Sequence, residues 1–227
     1  YDNAQDAINN NNSSFSKDLK TLNSIAKIIR SKRFKSGAFN FKTKEVKFKL
    51  DDNKKPIGVY NTIRKDTHKM IEEYMLLANK IVAEKINEFE KNNKQKHTFI
   101  YRIHEDPKEE KLIELKNYIN QFGYKINTEE QHLSQSLNDL MKKIKGKPEE
   151  SSIEKFAIKS MSKAKYSTSK EKHFGLAFHN YTHFTSPIRR FPDVMVHRLL
   201  YKYLNAGKPE DKTYYEILCK HSTKMEI

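Results

Sequence analysis

A long amphipathic segment constrains the fold of this chain more than any other feature. From Lys65 to about Lys91 apolar residues recur every three or four positions, at Met70, Ile71, Tyr74, Met75, Leu77, Ala78, Ile81, Val82, Ile86 and Phe89. This spacing is the period of an α-helix. The apolar face is wide, so we expect the helix to be buried on more than one side, with other elements packed around it.

The remaining pattern predicts further helices and a few short strands. Helical spacing recurs over residues 18–35, 105–123, 129–145, 151–165, 192–206 and 211–226. Shorter apolar stretches, mostly with period-two alternation, predict strands near residues 39–50, 57–60 and 98–104. The fold class is therefore α+β, helix-rich with a small mixed or antiparallel sheet. We expect Phe39 and Phe48 in the core, and a loop over residues 3–16, which are rich in Asn and Ser.

The charge balance predicts a polyanionic partner. Lys and Arg total 44 against 29 Asp and Glu, a formal charge of +15, and the lysines are spread along the chain. Such a positive field is most often used to bind nucleic acid.

The same sequence argues against a membrane or secreted protein. No apolar run approaches the roughly 20 residues that a membrane span needs, and the N-terminus is polar. The single Cys219 excludes an internal disulfide, fits a reducing compartment and is expected to be a small buried hydrophobe. We expect a cytoplasmic monomer that does not contact a membrane.

The segment from His173 to Arg198 is the densest in chemically informative residues. Pro187 fixes its own backbone and restricts Ser186, so Arg189 and Arg190 should be presented from a defined turn. Pro192 then opens a helix. A pair of arginines held at a helix entrance suits bidentate contact with phosphate oxygens, whereas the alternative is an ordinary basic surface loop.

Four blocks of sequence carry a family resemblance. They are IEEYMLLAN from Ile71, YRIH from Tyr101 with Pro107, SM from Ser160 with Ala164 and YS from Tyr166, and the 173–198 segment. In order and spacing they resemble the RNB catalytic domain of the ribonuclease II and ribonuclease R family, closest to ribonuclease R, over nearly the whole chain. The resemblance implies that residues 1–227 are the C-terminal two-thirds of such a domain. We expect it to be cut at both ends and to lack the family's cold-shock and S1 domains.

The resemblance also implies an activity and the residues that perform it. The family's enzymes are processive 3′→5′ exoribonucleases that degrade single-stranded RNA to nucleoside 5′-monophosphates by metal-assisted hydrolysis. Arg189 matches the arginine at the scissile phosphate and is the expected catalytic residue. The expected RNA-binding residues are Tyr1, Phe41, Glu72, Arg190, Ser186 and His183. Phe41 matches the aromatic that stacks on bases, and Glu72 and Tyr1 match residues that help select RNA.

Three of these roles have a plainer alternative. Arg190 could form a structural salt bridge with Asp193, Phe41 could pack as an ordinary strand residue, and Glu72 could pair with a nearby Lys or Arg. The histidines have no H-E-x-x-H spacing, so we expect them to hold the turn by hydrogen bonds or to line a channel, and His104 to be structural.

The sequence departs from the family at the metal site. The family's Mg²⁺ is held by four aspartates spaced D-x5-D-x-D-D, and the one adjacent pair here, Asp51–Asp52, has Thr43 and Lys49 where the other two should stand. We therefore expect the Mg²⁺ ligands to lie outside this chain, and the chain alone to be inactive. The alternative function is a non-catalytic RNA-binding or regulatory relative of the family.

Overall fold

The structure is a computed structural model that describes residues 1–39, 46–61 and 64–226. The helices in these ranges are α1 Asp2–Asn10, α2 Ser16–Lys35, α3 Asp66–Asn93, α4 Glu109–Asn120, α5 Glu130–Ile144, α6 Glu150–Ser160, α7 Phe191–Leu204 and α8 Lys212–Met225. The strands are β1 Val46–Leu50, β2 Pro56–Asn61, β3 Tyr101–Ile103 and β4 Lys165–Ser167, and a 3₁₀ turn spans Phe174–Leu176. The expected helix-rich α+β class is confirmed, with two separate two-stranded antiparallel sheets in the described residues.

Two predictions of local structure were wrong. Residues 3–16 were expected as a loop, but Asp2–Asn10 is a helix. Its residues are mostly polar and bond to each other one turn apart, as Gln5 does to Asn9 at 3.1 Å. The sequence therefore has no apolar stripe from which this helix could be predicted. The helix expected over 151–165 ends at Ser160, and Lys165–Ser167 pairs instead with Ile103–Tyr101 as β4. That pairing partner is more than 60 residues away in sequence, out of reach of a local pattern.

The chain forms two compact units. The first comprises Tyr1–Lys32 and Asn40–Tyr74, and the second comprises Arg33–Phe39 and Met75–Ile227. Helices α2 and α3 contribute residues to both units.

The first unit carries an exposed β-hairpin. Strands β1 and β2 pair with Phe48 opposite Val59, and every residue in both strands is exposed. The side chain of Asp51 fixes the turn, since its Oδ1 accepts from the backbone N–H groups of Asn53 and Lys55 at 2.9 and 2.8 Å. Phe48 is 64% exposed, so its assignment to the core was wrong. Alternation shows which side chains share a face of a strand, but not whether another element covers that face.

The second unit has a continuous apolar core. It gathers residues from α3, α7, α8, β3, β4 and the segment just before β3, namely Ala83, Ile86, Phe99, Ile100, Tyr101, Ile103, Tyr166, Met195, Val196, Leu199, Tyr203 and Cys219. Cys219 is fully buried, as expected, and burial raises the pKa of its thiol to about 12. Phe39 is half-buried, and its ring packs edge-to-face with that of Phe174, with the ring centroids 5.0 Å apart.

A second set of helices in the same unit buries leucines and isoleucines at helical spacing. Helix α6 packs against both α4 and α5. The buried residues are Leu112, Leu115, Ile119, Leu133, Leu137, Leu140, Ile144, Ile153 and Ala157. No helix among the described residues has both the length and the apolar run that a bilayer crossing requires.

Replacing Gly175 by Ala should destabilise the second unit by about 1–3 kcal/mol, the usual cost of overpacking. The backbone N–H of Gly175 donates to His104 Nδ1 at 3.0 Å, and an added Cβ would lie only 2.9 Å from that same nitrogen. Urea unfolding of Gly175→Ala checks this. Gly58→Ala is the matched control, because a Cβ at Gly58 meets nothing within 4 Å. Equal midpoints for the two variants would contradict the packing described here.

Candidate nucleic-acid interface

The turn that carries Arg189 and Arg190 is held against α3 by one buried side-chain amide. Asn79 on α3 is 3% exposed, and its Oδ1 accepts from the backbone N–H groups of Phe184 and Thr185 at 2.9 and 3.2 Å. Its Nδ2 donates to the hydroxyl of Tyr181 at 2.9 Å. Thr182 adds a bond from its hydroxyl to the backbone carbonyl of Ile100 at 2.7 Å. The approach to the turn is therefore fixed to the core at four points.

A buried carboxylate holds the other side of the turn. Asp193, in the first turn of α7, is fully buried, and its Oδ1 accepts from the backbone N–H of Ser186 at 2.8 Å. The same oxygen accepts from Arg190 Nη2 at 2.8 Å. The structural alternative raised for Arg190 is thus present, since its guanidinium is ion-paired and its side chain only 17% exposed. Any contact of Arg190 with RNA remains a prediction.

Arg189 is arranged in the opposite way. Its backbone N–H donates to the carbonyl of Ser186 at 3.3 Å, and that of Arg190 donates to the same carbonyl at 3.0 Å, so the backbone is closed into a tight turn. The Arg189 side chain is exposed and makes no hydrogen bond or ion pair with any residue in ranges 1–39, 46–61 and 64–226. A fixed backbone therefore presents a guanidinium whose donors are available to a ligand.

Unpaired buried polar atoms concentrate at this turn. Within the described part of the chain, five such side-chain atoms are found, and three belong to the turn and its support, namely Thr185 Oγ1, Arg190 Nε and Asp193 Oδ2. Buried polar groups are nearly always hydrogen-bonded, so a cluster of exceptions is typical of a functional site rather than of a stabilising one.

The histidines of the second unit act mainly as supports. His104 donates from Nε2 to the carbonyl of Ser162 at 2.7 Å and accepts at Nδ1 from Gly175, so it is structural, as expected. Burial lowers the pKa of His173 to about 3, and its ring accepts from the N–H of Leu176 at 3.3 Å. His183 lies 2.8 Å from the hydroxyl of Tyr166 through Nδ1. Among the residues described, no three His, Cys, Asp or Glu side chains are grouped so that they could hold a metal ion.

The remaining predicted RNA contacts belong to the first unit. The Tyr1 ring stacks on His68 with centroids 4.1 Å apart, and Tyr1 is 62% exposed. Glu72 forms ion pairs with Arg64 and, at 3.9 Å, with Arg30, so the arginine partner considered for it is present. The adjacent glutamate, Glu73, is the one that is fully buried. Phe41 lies outside the described residues.

Several supporting residues were not assigned a role from sequence. Asn79 ends the family block IEEYMLLAN, and it is also a polar residue four positions before the buried Ala83 on an apolar helix face. Such a residue in a helical stripe is a usable signal, because a buried amide must find partners. Arg102 and Tyr166 lie in the family blocks YRIH and YS, but nothing in the sequence indicates that they meet Glu226, because that association is purely tertiary.

Comparison with known proteins gives a consistent family. The model of the RNB domain matches residues 1–206. Ribonuclease R of Thermotoga maritima is 40% identical over 184 residues, 79% of this chain and 25% of that protein, and ribonuclease R of Aquifex aeolicus is 33% identical over 211 residues, 92% and 29% respectively. A structure of Mycoplasma genitalium RNase R in complex with ribose methylated single-stranded RNA superimposes with a TM-score of 0.86 at 26% identity. That match covers 100% of this chain and 36% of the other. The chain thus spans about a quarter to a third of the length of these relatives.

Removing the carboxylate of Asp193 should be far more damaging to stability than removing Arg189. Asp193→Ala leaves the mostly buried Arg190 guanidinium without its partner, a change that costs about 3–5 kcal/mol. Arg189→Ala removes an exposed side chain and should change the unfolding free energy by about 0.5 kcal/mol or less. Denaturant unfolding of both variants provides the comparison. Similar losses would mean that Asp193 does not hold the turn as described.

Proposed function

The chain belongs to the RNB domain family, and on this premise we propose that it is part of a processive 3′→5′ exoribonuclease. The proposed reaction is hydrolysis of single-stranded RNA to nucleoside 5′-monophosphates. One observation carries the proposal: Arg189 is an exposed guanidinium with no partner in the described part of the chain, on a turn fixed by Asn79 and Asp193.

The physical chemistry of phosphate transfer favours this arrangement. Charge develops on the non-bridging oxygens as the phosphodiester bond breaks, and donors that are already oriented stabilise it without reorganisation. The planar fork of an arginine matches two phosphate oxygens at once. In our proposal Arg189 performs this role, and Arg190, through its bond to Asp193, chiefly holds the turn.

The proposed partner is single-stranded RNA. The formal charge of +15 favours a polyanion, and the Mycoplasma genitalium relative was solved with single-stranded RNA bound. Tyr1, Glu72, Ser186, His183 and Phe41 are the proposed RNA contacts besides the arginines. We further propose a cytoplasmic monomer, in keeping with the single buried thiol of Cys219.

The proposed reaction needs a divalent metal, for which we propose Mg²⁺. The described residues do not fit such an ion, because no cluster of carboxylates exists among them and Asp51 is occupied by the backbone of its own turn. We therefore derive no step through the metal and assign its ligands to the remainder of the RNB domain, outside this chain.

The full-length protein should release mononucleotides from single-stranded RNA, and the 227-residue chain alone should not. With Mg²⁺, RNA labelled at its 3′ end should yield a labelled mononucleotide at once. RNA labelled at its 5′ end should be converted directly to a short end product without a ladder of intermediates, because a processive enzyme completes one strand before it binds another. Release from the 5′ end first would contradict the direction. RNA binding without cleavage by the full-length protein would instead indicate the non-catalytic relative. Cleavage by the isolated chain would show that it holds its own metal ligands.

Arg189→Ala in the full-length protein should reduce the rate of cleavage far more than the affinity for RNA. Loss of one preorganised donor typically lowers the rate about 10²–10³-fold. Loss of one phosphate contact should weaken binding modestly and reduce the dependence on salt by about one unit of slope. Arg189→Lys should restore little, because an ammonium group cannot form the bidentate fork.

Single-turnover cleavage and equilibrium binding, each at several salt concentrations, separate the two effects. Lys96→Ala is a matched control, because Lys96 is another exposed basic side chain, remote from this turn in sequence. If binding by Arg189→Ala collapses while cleavage in saturating RNA is unchanged, Arg189 anchors RNA and is not catalytic.

A further inference from the structure

A tyrosine hydroxyl in the second unit connects a carboxylate to a histidine. The hydroxyl of Tyr166 donates to Glu226 Oε1 at 3.0 Å, and its oxygen lies 2.8 Å from His183 Nδ1. Arg102 fixes the far end, since its Nη1 lies 2.6 Å from Glu226 Oε2 and its guanidinium lies 4.6 Å from the centre of the Tyr166 ring. The four side chains form one continuous chain of contacts between β3, β4, the end of α8 and the arginine turn.

The direction of the hydrogen bonds among these side chains determines which ring nitrogen of His183 carries the proton. A carboxylate can only accept, so the single hydroxyl proton of Tyr166 is committed to Glu226. The hydroxyl oxygen must then accept from His183, which places a hydrogen on Nδ1. In a neutral imidazole the other nitrogen, Nε2, is consequently an acceptor with a free lone pair.

The surroundings keep the ring neutral. Burial, together with the charges of Arg190, Arg102, His173 and Arg189, lowers the pKa of His183 to about 3. The ring is only partly buried, and its Nε2 makes no hydrogen bond to any residue of the described ranges. A hydrogen-bond acceptor is therefore available beside arginines whose charges favour an anion.

We propose that His183 Nε2 accepts a hydrogen bond from a sugar hydroxyl of bound RNA, and that Tyr166 is a positioning residue that fixes the histidine tautomer. This inference rests on the proposed function. A phosphate oxygen has no proton to donate, so the neutral ring cannot serve as another phosphate ligand. The hydroxyl donors adjacent to a phosphate are the ribose 2′-OH and, at the end of the strand, the 3′-OH. His183 would thus read the sugar while Arg189 binds the phosphate.

The tautomer can be measured without RNA, which separates this inference from the proposed function. The full-length protein labelled with ¹⁵N-histidine gives ring nitrogen shifts, and the His183 signals are identified by their loss in His183→Gln. At neutral pH we expect a protonated Nδ1 and an unprotonated Nε2. Tyr166→Phe should produce a mixture of tautomers. A proton on Nε2 in the wild-type protein, or a doubly protonated ring, would overturn the inference.

The contact itself is tested by binding in EDTA, so that RNA is not cleaved. An oligoribonucleotide is compared with versions that carry one 2′-deoxy sugar at each position in turn, and with a 3′-deoxy terminus. At one position the wild-type protein should bind the ribose form about 2- to 10-fold more tightly than the deoxy form, the range of one neutral hydrogen bond. His183→Asn should abolish this difference, because its side chain is too short to replace Nε2. His183→Gln can place an amide oxygen near the position of Nε2 and should restore part of it.

Tyr203→Phe is the matched control for Tyr166→Phe. Its hydroxyl donates to the carbonyl of Thr98 at 2.7 Å in the core, so this variant also loses a buried tyrosine hydrogen bond. It should leave the discrimination intact, whereas Tyr166→Phe should weaken it at the same sugar that His183 reads.

The outcomes are distinguishable. If His183→Asn no longer distinguishes ribose from deoxyribose at one 2′ position, or at the 3′ terminus, the inference is supported and the hydroxyl is identified. Unchanged discrimination at every sugar in His183→Asn, with RNA still bound, overturns the inference alone. An effect that follows the identity of the base also overturns it. Absence of RNA binding by the wild-type protein would overturn the proposed function, while the tautomer measurement still decides the role of Tyr166.

Discussion

The arrangement of the arginine turn depends on the carboxylate of Asp193. This side chain is fully buried and binds both the backbone of Ser186 and the guanidinium of Arg190. A buried charge is tolerated only when it is paired and hydrogen-bonded, so its two partners cannot move independently. Because Arg190 is committed to this pair, its neighbour Arg189 is the one left exposed. One buried ion pair therefore divides two adjacent arginines of the same chemistry into a supporting residue and an exposed one.

Asn79 complements this constraint from the opposite side of the turn. Its amide supplies both an acceptor for two backbone N–H groups and a donor for Tyr181, so the loop is tied directly to the long helix α3. A loop held by such bonds loses little further entropy when it binds a ligand, which is the condition for preorganised stabilisation of charge. The rigidity of the turn is thus a property of α3 and α7 as much as of its two prolines.

Electrostatics around the turn also explain why the nearby histidines are neutral. His183 and His173 are partly buried near arginines, and both effects lower their pKa values to about 3. A neutral ring offers one donor and one acceptor, and the acceptor of His183 is defined by the hydroxyl of Tyr166. A site rich in positive charge can in this way still recognise a hydrogen-bond donor, which a cluster of arginines and lysines alone could not.

The sequence by itself determined the helix-rich class, the positions of most helices and the segment that carries the arginines. These features depend on local periodicity and on the stereochemistry of proline, both of which are written into neighbouring residues. The family resemblance, which is confirmed, was visible in the 173–198 segment for the same reason, because the residues of that motif are contiguous.

Only the tertiary structure decided which residues face each other and which faces are covered. Phe48 has the alternation of a core strand yet lies exposed, and Lys165–Ser167 became a strand because Tyr101–Ile103 pairs with it. The choice between Arg189 and Arg190 depended on a carboxylate held fully inside the fold, and the proton of His183 depended on Glu226, more than 40 residues away. Burial and hydrogen-bond partnership are set by packing between distant segments, and no local pattern encodes them.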